Sequence, residues 1–202
     1  MTIEFIKANE ESPVVEFTYP VDGLQSLFDD YQTWKPEMDL KGLGGYEGQS
    51  KRLMLSTHKR FNNASRQFSQ DIEKSRLSLI NKFLEIDTRD RWPNIPEQIN
   101  NRMNIYTSLI VDLKGFNMTP HIDNRTVYAA GYINIFDNES LTVVSTTRPN
   151  FFGVNKTTEY RAPGNKGQGV IWLNTENSLH WVNRTSRDRK ILMVTFQIVP
   201  WG

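Results

Sequence analysis

The chain has 202 residues, of which 38% are hydrophobic and 23% charged, with a formal charge of +1, and we expect residues 1–202 to form one soluble globular domain. It contains no cysteine, so disulfides, thiol nucleophiles, zinc fingers and iron–sulfur clusters are excluded. A metal site would have to use His, Asp, Glu or backbone oxygens. The balanced charge and the short, mixed basic runs do not indicate a nucleic-acid partner.

The first half, residues 1–100, is predicted to be a helical and loop-rich support. Its N-terminus carries acids where a secretion signal has basic residues, and no apolar run could span a bilayer, so we expect a cytoplasmic protein without a membrane anchor. The segment VVEFTY (14–19) is typical of a strand, and the helical spacing of apolar residues in GLQSLFDDYQTW (23–34) predicts a helix. The Gly-rich segment KGLGGYEGQ (41–49) is predicted to be a loop that could cover a pocket.

A long helix is predicted over residues 66–86, because its apolar side chains form one stripe that needs a sheet to cover it. The prolines of the WPNIP segment (92–96) end the helical region, since each removes a backbone donor and restricts the preceding residue. His58 lies outside every motif, and we expect it at the surface or at a helix end. The stripe consists of Phe68, Ile72, Leu79, Ile80, Phe83 and Leu84.

Beyond residue 100 the sequence pattern changes to strands. In MNIYTSLIVDL (103–113) the odd positions are apolar except Thr107, which is typical of a half-buried strand. No helix-length segment separates the strand candidates that follow, so we expect antiparallel pairing in a sandwich or small barrel. The fold class is therefore predicted to be α+β, with the long helix bracing one face of the sheet. The further candidates are TVYAAGYINIF, LTVVSTT, TEYRA, GVIWLN and KILMVTFQIV.

Two of the three histidines lie beside strands of this predicted sheet. His121 and Asp123 are separated by one residue, so on an extended strand both side chains point to one face and can reach one ion. His180 follows the strand GVIWLN and offers a third ligand. Two imidazoles and one carboxylate leave part of an octahedral ion open, which is the facial triad of non-haem Fe(II) oxygenases. His-x-Asp alone is weak, because chance produces it about once in twenty.

An arginine follows the second histidine at the start of the last predicted strand. Arg189 precedes KILMVTFQIV, and its planar, permanently charged guanidinium could bind a dicarboxylate through two hydrogen bonds. Arg187 and Lys190 are alternatives if the strand register differs by one or two residues. The sequence therefore offers a metal triad and a separate anion-binding group.

These segments together resemble the Fe(II)/2-oxoglutarate-dependent oxygenases. HIDN, then a strand ending in GVIWLN, then HWVNRTSRDRKILMVTFQI is similar to their double-stranded β-helix (jelly-roll) core, here at about residues 101–200. The resemblance implies that His121, Asp123 and His180 form the catalytic iron site. It also implies that Arg189 pairs with the distal carboxylate of 2-oxoglutarate and that O2 is the second cosubstrate.

Two branches of this family share short motifs with the chain. The end of the core resembles the aspartyl/asparaginyl β-hydroxylases, and His-x-Asp-Asn resembles the prolyl hydroxylases, so the implied substrate is an amino acid or a protein side chain. Tyr106, Tyr132 and Asn134 are candidates for hydrogen bonds to the cosubstrate, and buried structural tyrosines are an equal alternative. We expect Trp172 and Trp181 to pack the barrel wall.

The sequence also departs from the family, and two alternative functions stay open. The paired glycines common in the middle of the core are missing, and Ile191 stands where a small hydroxyl residue is often found. One alternative is a barrel, with or without a metal, that binds a ligand or partner without turnover. The other is a cupin-like isomerase or dioxygenase with no cosubstrate, which would keep the metal but need no arginine. The substrate and the oligomeric state do not follow from the sequence.

Overall fold

The structure is a computed structural model that describes residues 3–9, 12–39, 51–55, 59–85, 103–124, 126–139, 141–149, 153–175 and 178–198. The Gly-rich segment 41–49, His58 and the WPNIP segment lie outside these ranges, so what the sequence predicts for them stays a prediction. No helix within the described ranges is long and apolar enough to cross a membrane.

Strands dominate the described chain, and short helices occupy its first half. The strands are β1 (Glu4–Asn9), β2 (Val14–Thr18), β3 (Arg52–Met54), β4 (Met103–Asp112), β5 (Met118–His121), β6 (Val127–Asn134), β7 (Thr142–Pro149), β8 (Asn155–Arg161), β9 (Gln168–Leu173), β10 (Ser178–Val182) and β11 (Arg189–Ile198). The helices are α1 (Asp22–Gln25), α2 (Tyr31–Asp39), α3 (Lys59–Lys74) and α4 (Arg76–Glu85), with a 3-10 turn at Ser26–Phe28.

The strands form two sheets in which every neighbouring pair is antiparallel. The major sheet has the order β1-β2-β9-β6-β11-β4-β3, and the minor sheet has the order β5-β10-β7-β8. Strands from distant parts of the chain therefore alternate within each sheet, which is the topology of a double-stranded β-helix. The predicted α+β class and the jelly-roll core are confirmed.

The two faces of the major sheet are both buried, which explains why its central strands are apolar at successive positions. Every residue of β6 is buried, because its alternate side chains point to opposite faces of the sheet and both faces are covered. On one face, Ile133 and Leu192 pack against the helices. On the other face, Val170 and Ile191 pack against Val144 of the minor sheet. The helices thus brace one side of the major sheet, while the space between the sheets is available for a site.

The long helix predicted over residues 66–86 is two helices. The stripe residues Phe68 and Ile72 in α3, and Leu79, Ile80 and Phe83 in α4, are buried as predicted. The helix is interrupted at Ser75, whose amide donates to the carbonyls of both Asp71 and Ile72. Because of this break, α3 can pack against β4 while α4 packs against β1 and β2. The helical spacing stays in phase across the break, so the sequence pattern does not reveal it.

The N-terminal segment contributes more strands than the sequence predicts. The strand predicted at 14–19 is present as β2, but β1 and β3 also join the major sheet, at its two edges. β3 has only three residues, which is too short for an alternating pattern to be recognised. The helix predicted at 23–34 is likewise divided into α1, the 3-10 turn and the start of α2.

Candidate metal centre

The three predicted metal ligands converge between the two sheets. His121 is the last residue of β5, His180 lies in β10, and the two residues are paired across these strands. Nε2 of His121 lies 3.7 Å from Oδ1 of Asp123, and Nε2 of His180 lies 3.6 Å from Oδ2 of the same carboxylate. One ligand atom from each residue can be chosen so that all lie within 4.8 Å of one another. Asp123 itself lies in the loop after β5, not on the extended strand that the sequence predicts.

Asn174, directly after β9, holds the loop that carries Asp123. Its Oδ1 accepts a hydrogen bond from the Asp123 amide at 3.1 Å. Its Nδ2 donates to the carbonyls of Asp123, Asn124 and Val127, at 3.1, 3.3 and 2.9 Å. A single buried amide therefore fixes the backbone on both sides of the carboxylate. Sequence reasoning missed this residue, because an Asn at a strand end gives no signal of its distant partner.

The protonation states of His180 and Asp123 suit metal binding. Burial lowers the pKa of His180 to about 4, so its imidazole is neutral at pH 7. Burial opposes ionisation of Asp123, but the two imidazoles outweigh that effect and hold the pKa of its carboxyl below the ordinary value. The hydrogen bond to Asp123 raises the pKa of His121, which favours the protonated ring, so a metal bound at Nε2 would have to displace a proton from it. Neutral imidazole and ionised carboxylate are the forms that coordinate a metal.

The orientation of His121 is fixed by its second ring nitrogen. Nδ1 lies 2.9 Å from the carbonyl oxygen of Thr119, so Nδ1 carries the proton and Nε2 keeps its lone pair for a ligand. The rings of His121 and His180 lie 4.2 Å apart between centroids. Two nitrogens and one oxygen on one side of a shared point fit a divalent transition metal that keeps open positions for other ligands.

A cavity of about 280 Å³ adjoins the triad. Alternate residues of β11 line one wall, from Arg189 at its start to Gln197 near its end, as expected where one face of a strand borders a cavity. Arg52 also lines the cavity, whereas the described residues at the far end of β11 are uncharged, including Thr195. The cavity therefore has a cationic end and a neutral end.

The cationic end is organised by a buried carboxylate. Asp112, at the end of β4, accepts hydrogen bonds from Arg189 Nε and a terminal nitrogen at 3.0 and 2.6 Å, and from Arg52 Nε at 2.6 Å. Another Arg189 nitrogen donates to Thr142 Oγ1 at 2.9 Å. Burial would raise the pKa of Asp112, but Arg189 and Arg52 lower it below the ordinary value. Two arginines and one carboxylate leave one net positive charge here.

The three residues predicted to bond a cosubstrate have different positions. Tyr132 is buried and lines the cavity, with its ring centroid 5.2 Å from the Arg189 guanidinium. Asn134 is buried, but its amide donates to the carbonyls of Pro163 and Gln168 and it is not a described lining residue of the cavity. Tyr106 is 51% exposed and is likewise not among the described lining residues. The structure brings only Tyr132 to the cationic end.

The neighbours of Arg189 do not take its place. Arg187 is near the surface, where a terminal nitrogen donates to the carbonyl of Asp137 at 2.9 Å. Lys190 points to the helix side of the sheet, where its Nζ lies between 4.5 and 5.4 Å from the ring centroids of Tyr31, Phe28 and Phe136. Arg189 is therefore the residue of this group that lines the cavity.

The two tryptophans beside the second histidine lie on different sides of the minor sheet. Trp172 is buried and packs on His180, with 4.9 Å between ring centroids. Trp181 is partly exposed and lines a second cleft. Only Trp172 thus has the packing position that the sequence predicts for both.

The fold is similar to that of solved oxygenase structures, although no protein-family model and no curated protein matches the sequence. A Pseudomonas putida prolyl-4-hydroxylase gives a TM-score of 0.60 at 12% identity, covering 94% of each chain. The 2-oxoglutarate-dependent carbocyclase SnoK of nogalamycin biosynthesis gives 0.53 at 10% identity, covering 93% of this chain and 80% of that chain. A Trichoplax adhaerens prolyl hydroxylase, solved with a hypoxia-inducible-factor peptide fragment, gives 0.51 at 14% identity, covering 87% and 76%. The chain therefore has the double-stranded β-helix fold of the Fe(II)/2-oxoglutarate-dependent oxygenases.

Proposed function

We propose that the protein is a non-haem Fe(II)- and 2-oxoglutarate-dependent dioxygenase. The observation that carries this proposal is the convergence of His121, Asp123 and His180 within 4.8 Å, beside a cavity whose cationic end contains Arg189. A metal triad alone would fit several enzyme classes. A triad next to a buried arginine, on this fold, fits a metal and an anionic cosubstrate together.

The triad residues would hold the iron. When bound, Fe(II) would supply oxygen activation coupled to oxidative decarboxylation of 2-oxoglutarate, which delivers an oxidant to a C–H bond. The protein's own contribution is to keep the His180 imidazole neutral by burial, to orient His121 through Thr119 and to fix the Asp123 loop through Asn174. These contacts set the ligand geometry before any metal arrives.

Arg189 would bind the distal carboxylate of the cosubstrate. A guanidinium has five N–H donors, and Arg189 uses its Nε and both terminal nitrogens for Asp112 and Thr142. Each terminal nitrogen still has a second N–H, so one edge of the group can bind a carboxylate. Asp112 thus orients Arg189 without cancelling the charge of both arginines, because Arg52 shares the same carboxylate.

The neutral end of the cavity would receive the substrate, for which we propose an amino acid or a protein side chain, free or in a peptide, with hydroxylation as the outcome. The described residues that line this end, among them Met193, Thr195 and Gln197, carry no charge, which suits a neutral group near the metal. Two proteins of similar fold are named prolyl hydroxylases, one of them with a bound peptide fragment. A third is named a carbocyclase, so other oxidations are also compatible with the fold.

Succinate formation tests the proposal. The protein is incubated with Fe(II), ascorbate and 2-oxoglutarate under air, and succinate is measured over time. We expect succinate to form even without a substrate, because many such enzymes turn over slowly in its absence. This formation should require both Fe(II) and O2. The Asp123→Ala variant should lose it, whereas Asp22→Ala, which removes an exposed aspartate, should keep it.

The same assay separates the alternative functions. Metal binding without succinate at any Fe(II) concentration would indicate a barrel that binds metal without turnover. Metal-dependent oxidation that ignores 2-oxoglutarate and survives Arg189→Ala would indicate a cosubstrate-independent, cupin-like enzyme. Either result would contradict the proposed function.

A further inference from the structure

A second cleft of about 660 Å³ lies beside the minor sheet, and the function proposed above does not use it. Trp181 lines this cleft, and because successive side chains of β10 point to opposite faces, Trp181 lies opposite the triad ligand His180. Met118 and Val182 line both the cleft and the triad cavity. The cleft is thus adjacent to the metal centre, and its other described lining residues differ from those of the triad cavity.

The base of the cleft is built by backbone hydrogen bonds between three distant segments. The Leu113 amide donates to the Lys51 carbonyl at 2.7 Å, and the Gly115 amide donates to the Thr185 carbonyl at 2.8 Å. The Thr185 amide returns a bond to the Phe116 carbonyl at 2.8 Å. These bonds place Lys51, the Gly115 turn and Arg184 side by side, so the neighbouring cations result from the fold.

Two cations converge above Gly115. A Cβ placed on this glycine would lie 2.7 Å from Lys51 Nζ and 3.8 Å from Arg184 Nε. Gly115 has φ +85°, a conformation that a residue with a side chain rarely adopts, so the turn itself leaves room for both cations. Within the described ranges, neither cation has a carboxylate partner. Two neighbouring like charges repel each other, and a bound anion would relieve that repulsion.

The other groups of the cleft fit an anion attached to a planar or apolar body. Asn117 and Asn183 line it, and their side chains make no hydrogen bond within the described part of the chain, so their N–H groups can donate to an anion. Trp181 is partly exposed beside them and offers a ring face for packing. No described acidic residue lines the cleft.

This cleft is separate from the cationic end of the triad cavity. Arg52 lies over the buried ring of Phe116, 4.5 Å from its centroid, and its Nε bonds Asp112. Phe116 lines the cleft, whereas Arg52 lines the triad cavity. We propose that the cleft is an anion-binding site in which Lys51 and Arg184 hold a phosphate or carboxylate whose planar body packs on Trp181. Its occupant would contact β5 and β10, the strands that carry His121 and His180.

The test measures binding of phenyl phosphate and benzoate, which share a ring and differ in the anionic group. Phenol is the neutral probe, and titrations at low salt are followed by calorimetry on the full chain. The test variant is Lys51→Gln/Arg184→Gln. Lys114→Gln and the double variant Lys114→Gln/Arg187→Gln are the matched controls, because they remove exposed cations that are not described lining residues of the cleft.

We expect at least one anion to bind wild type more tightly than phenol does, and affinity to fall as salt is raised. The Lys51→Gln/Arg184→Gln variant should bind about tenfold more weakly, and the matched double control less than about twofold more weakly. The tighter of the two probes identifies the anionic group. Circular dichroism should show that all variants are folded, because both replaced residues are exposed.

Three results would overturn the proposal. The first is that neither anion binds wild type. The second is that the matched double control loses as much affinity as the test variant. The loss would then follow from the lower net positive charge and not from these two side chains. The third is that a folded Arg189→Ala variant loses as much affinity for the probe as the test variant does, which would place the anion in the triad cavity. The variant comparison does not depend on succinate formation, so failure of the proposed enzymatic function leaves this test valid.

Discussion

Replacing Asp112 by Asn should destabilise the fold strongly. The Asp112 side chain is fully buried, and the side chains of Arg189 and Arg52 are 3% and 12% exposed. One carboxylate accepts three hydrogen bonds from these two guanidinium groups. An amide offers a single acceptor oxygen, and its NH2 group would face an arginine donor. At least one buried cation would therefore lose its partner.

The expected loss is about 4 kcal/mol of unfolding free energy, because breaking one partner of a buried ion pair typically costs 3–5 kcal/mol. This is a large part of the total stability of about 5–15 kcal/mol that a domain usually has. Urea unfolding followed by circular dichroism measures it, and the midpoint should fall while the slope stays constant. Asp22→Asn is the control, since Asp22 pairs with Lys166 at the surface and should change stability by less than about 1 kcal/mol.

A loss below about 1 kcal/mol for Asp112→Asn would refute this reasoning. It would mean that the two arginines reach other acceptors or water when the carboxylate is absent. The role assigned to Asp112 in orienting Arg189 would then lose its basis. Iron binding serves as a second measurement, because it should persist in the folded variant, whose triad residues are unchanged.

Three other perturbations test separate parts of the structure. Arg189 and Arg52 hold the pKa of Asp112 below its ordinary value. The stability that the Asp112 carboxylate contributes should therefore be complete above about pH 5 and fall as the pH drops through the lowered pKa. In acid urea titrations, the unfolding free energies of wild type and Asp112→Asn should converge. Gly131→Ala should cost about 3 kcal/mol or more in urea unfolding, because its Cβ would overlap the backbone of β9; Gly23→Ala, where the space is open, should change stability by less than about 1 kcal/mol. Asn174→Ala should weaken Fe(II) affinity about tenfold or more in calorimetric titration, because the Asp123 loop loses its clamp, and an unchanged affinity would remove that role from Asn174.

The convergence of His121, Asp123 and His180 could be predicted because histidines are rare in this chain. Only three histidines occur in the chain, and two of them lie beside strands of the same predicted sheet. Alternation predicted β4, and the apolar segments TVYAAGYINIF and KILMVTFQIV predicted β6 and β11, all close to their observed bounds. The sequence pattern was sufficient to predict a strand where its apolar residues match the faces that the strand buries.

The network around Arg189 could not be predicted because it depends on sheet register. Asp112 is the direct cross-strand neighbour of both Arg189 and Arg52, but a single sequence does not reveal which residues of β3, β4 and β11 lie opposite one another. Arg52 is 60 residues from Asp112 along the chain. The sequence shows a charged residue at the end of an apolar strand, but it does not show which residue pairs with it.

Alternation also gives the face of a side chain but not whether that face is covered. Tyr106 points to the same face of β4 as Asp112, six residues away, which is about 20 Å along a strand. At Asp112 the face is fully buried, whereas at Tyr106 it is half exposed. Tyr106, a candidate for a cosubstrate hydrogen bond, thus shares a face of β4 with Asp112, but the sequence does not show how far the cavity extends along that face.

Anaerobic titration of the protein with Fe(II) tests the central claim most directly. If His121, Asp123 and His180 form one metal centre, calorimetry should show one Fe(II) site per chain in wild type and loss of that site in Asp123→Ala and in His180→Ala. Asp22→Ala, which removes an exposed carboxylate, should bind as wild type does. Retention of wild-type Fe(II) affinity by either triad variant would contradict the assignment of the metal centre and the function proposed from it.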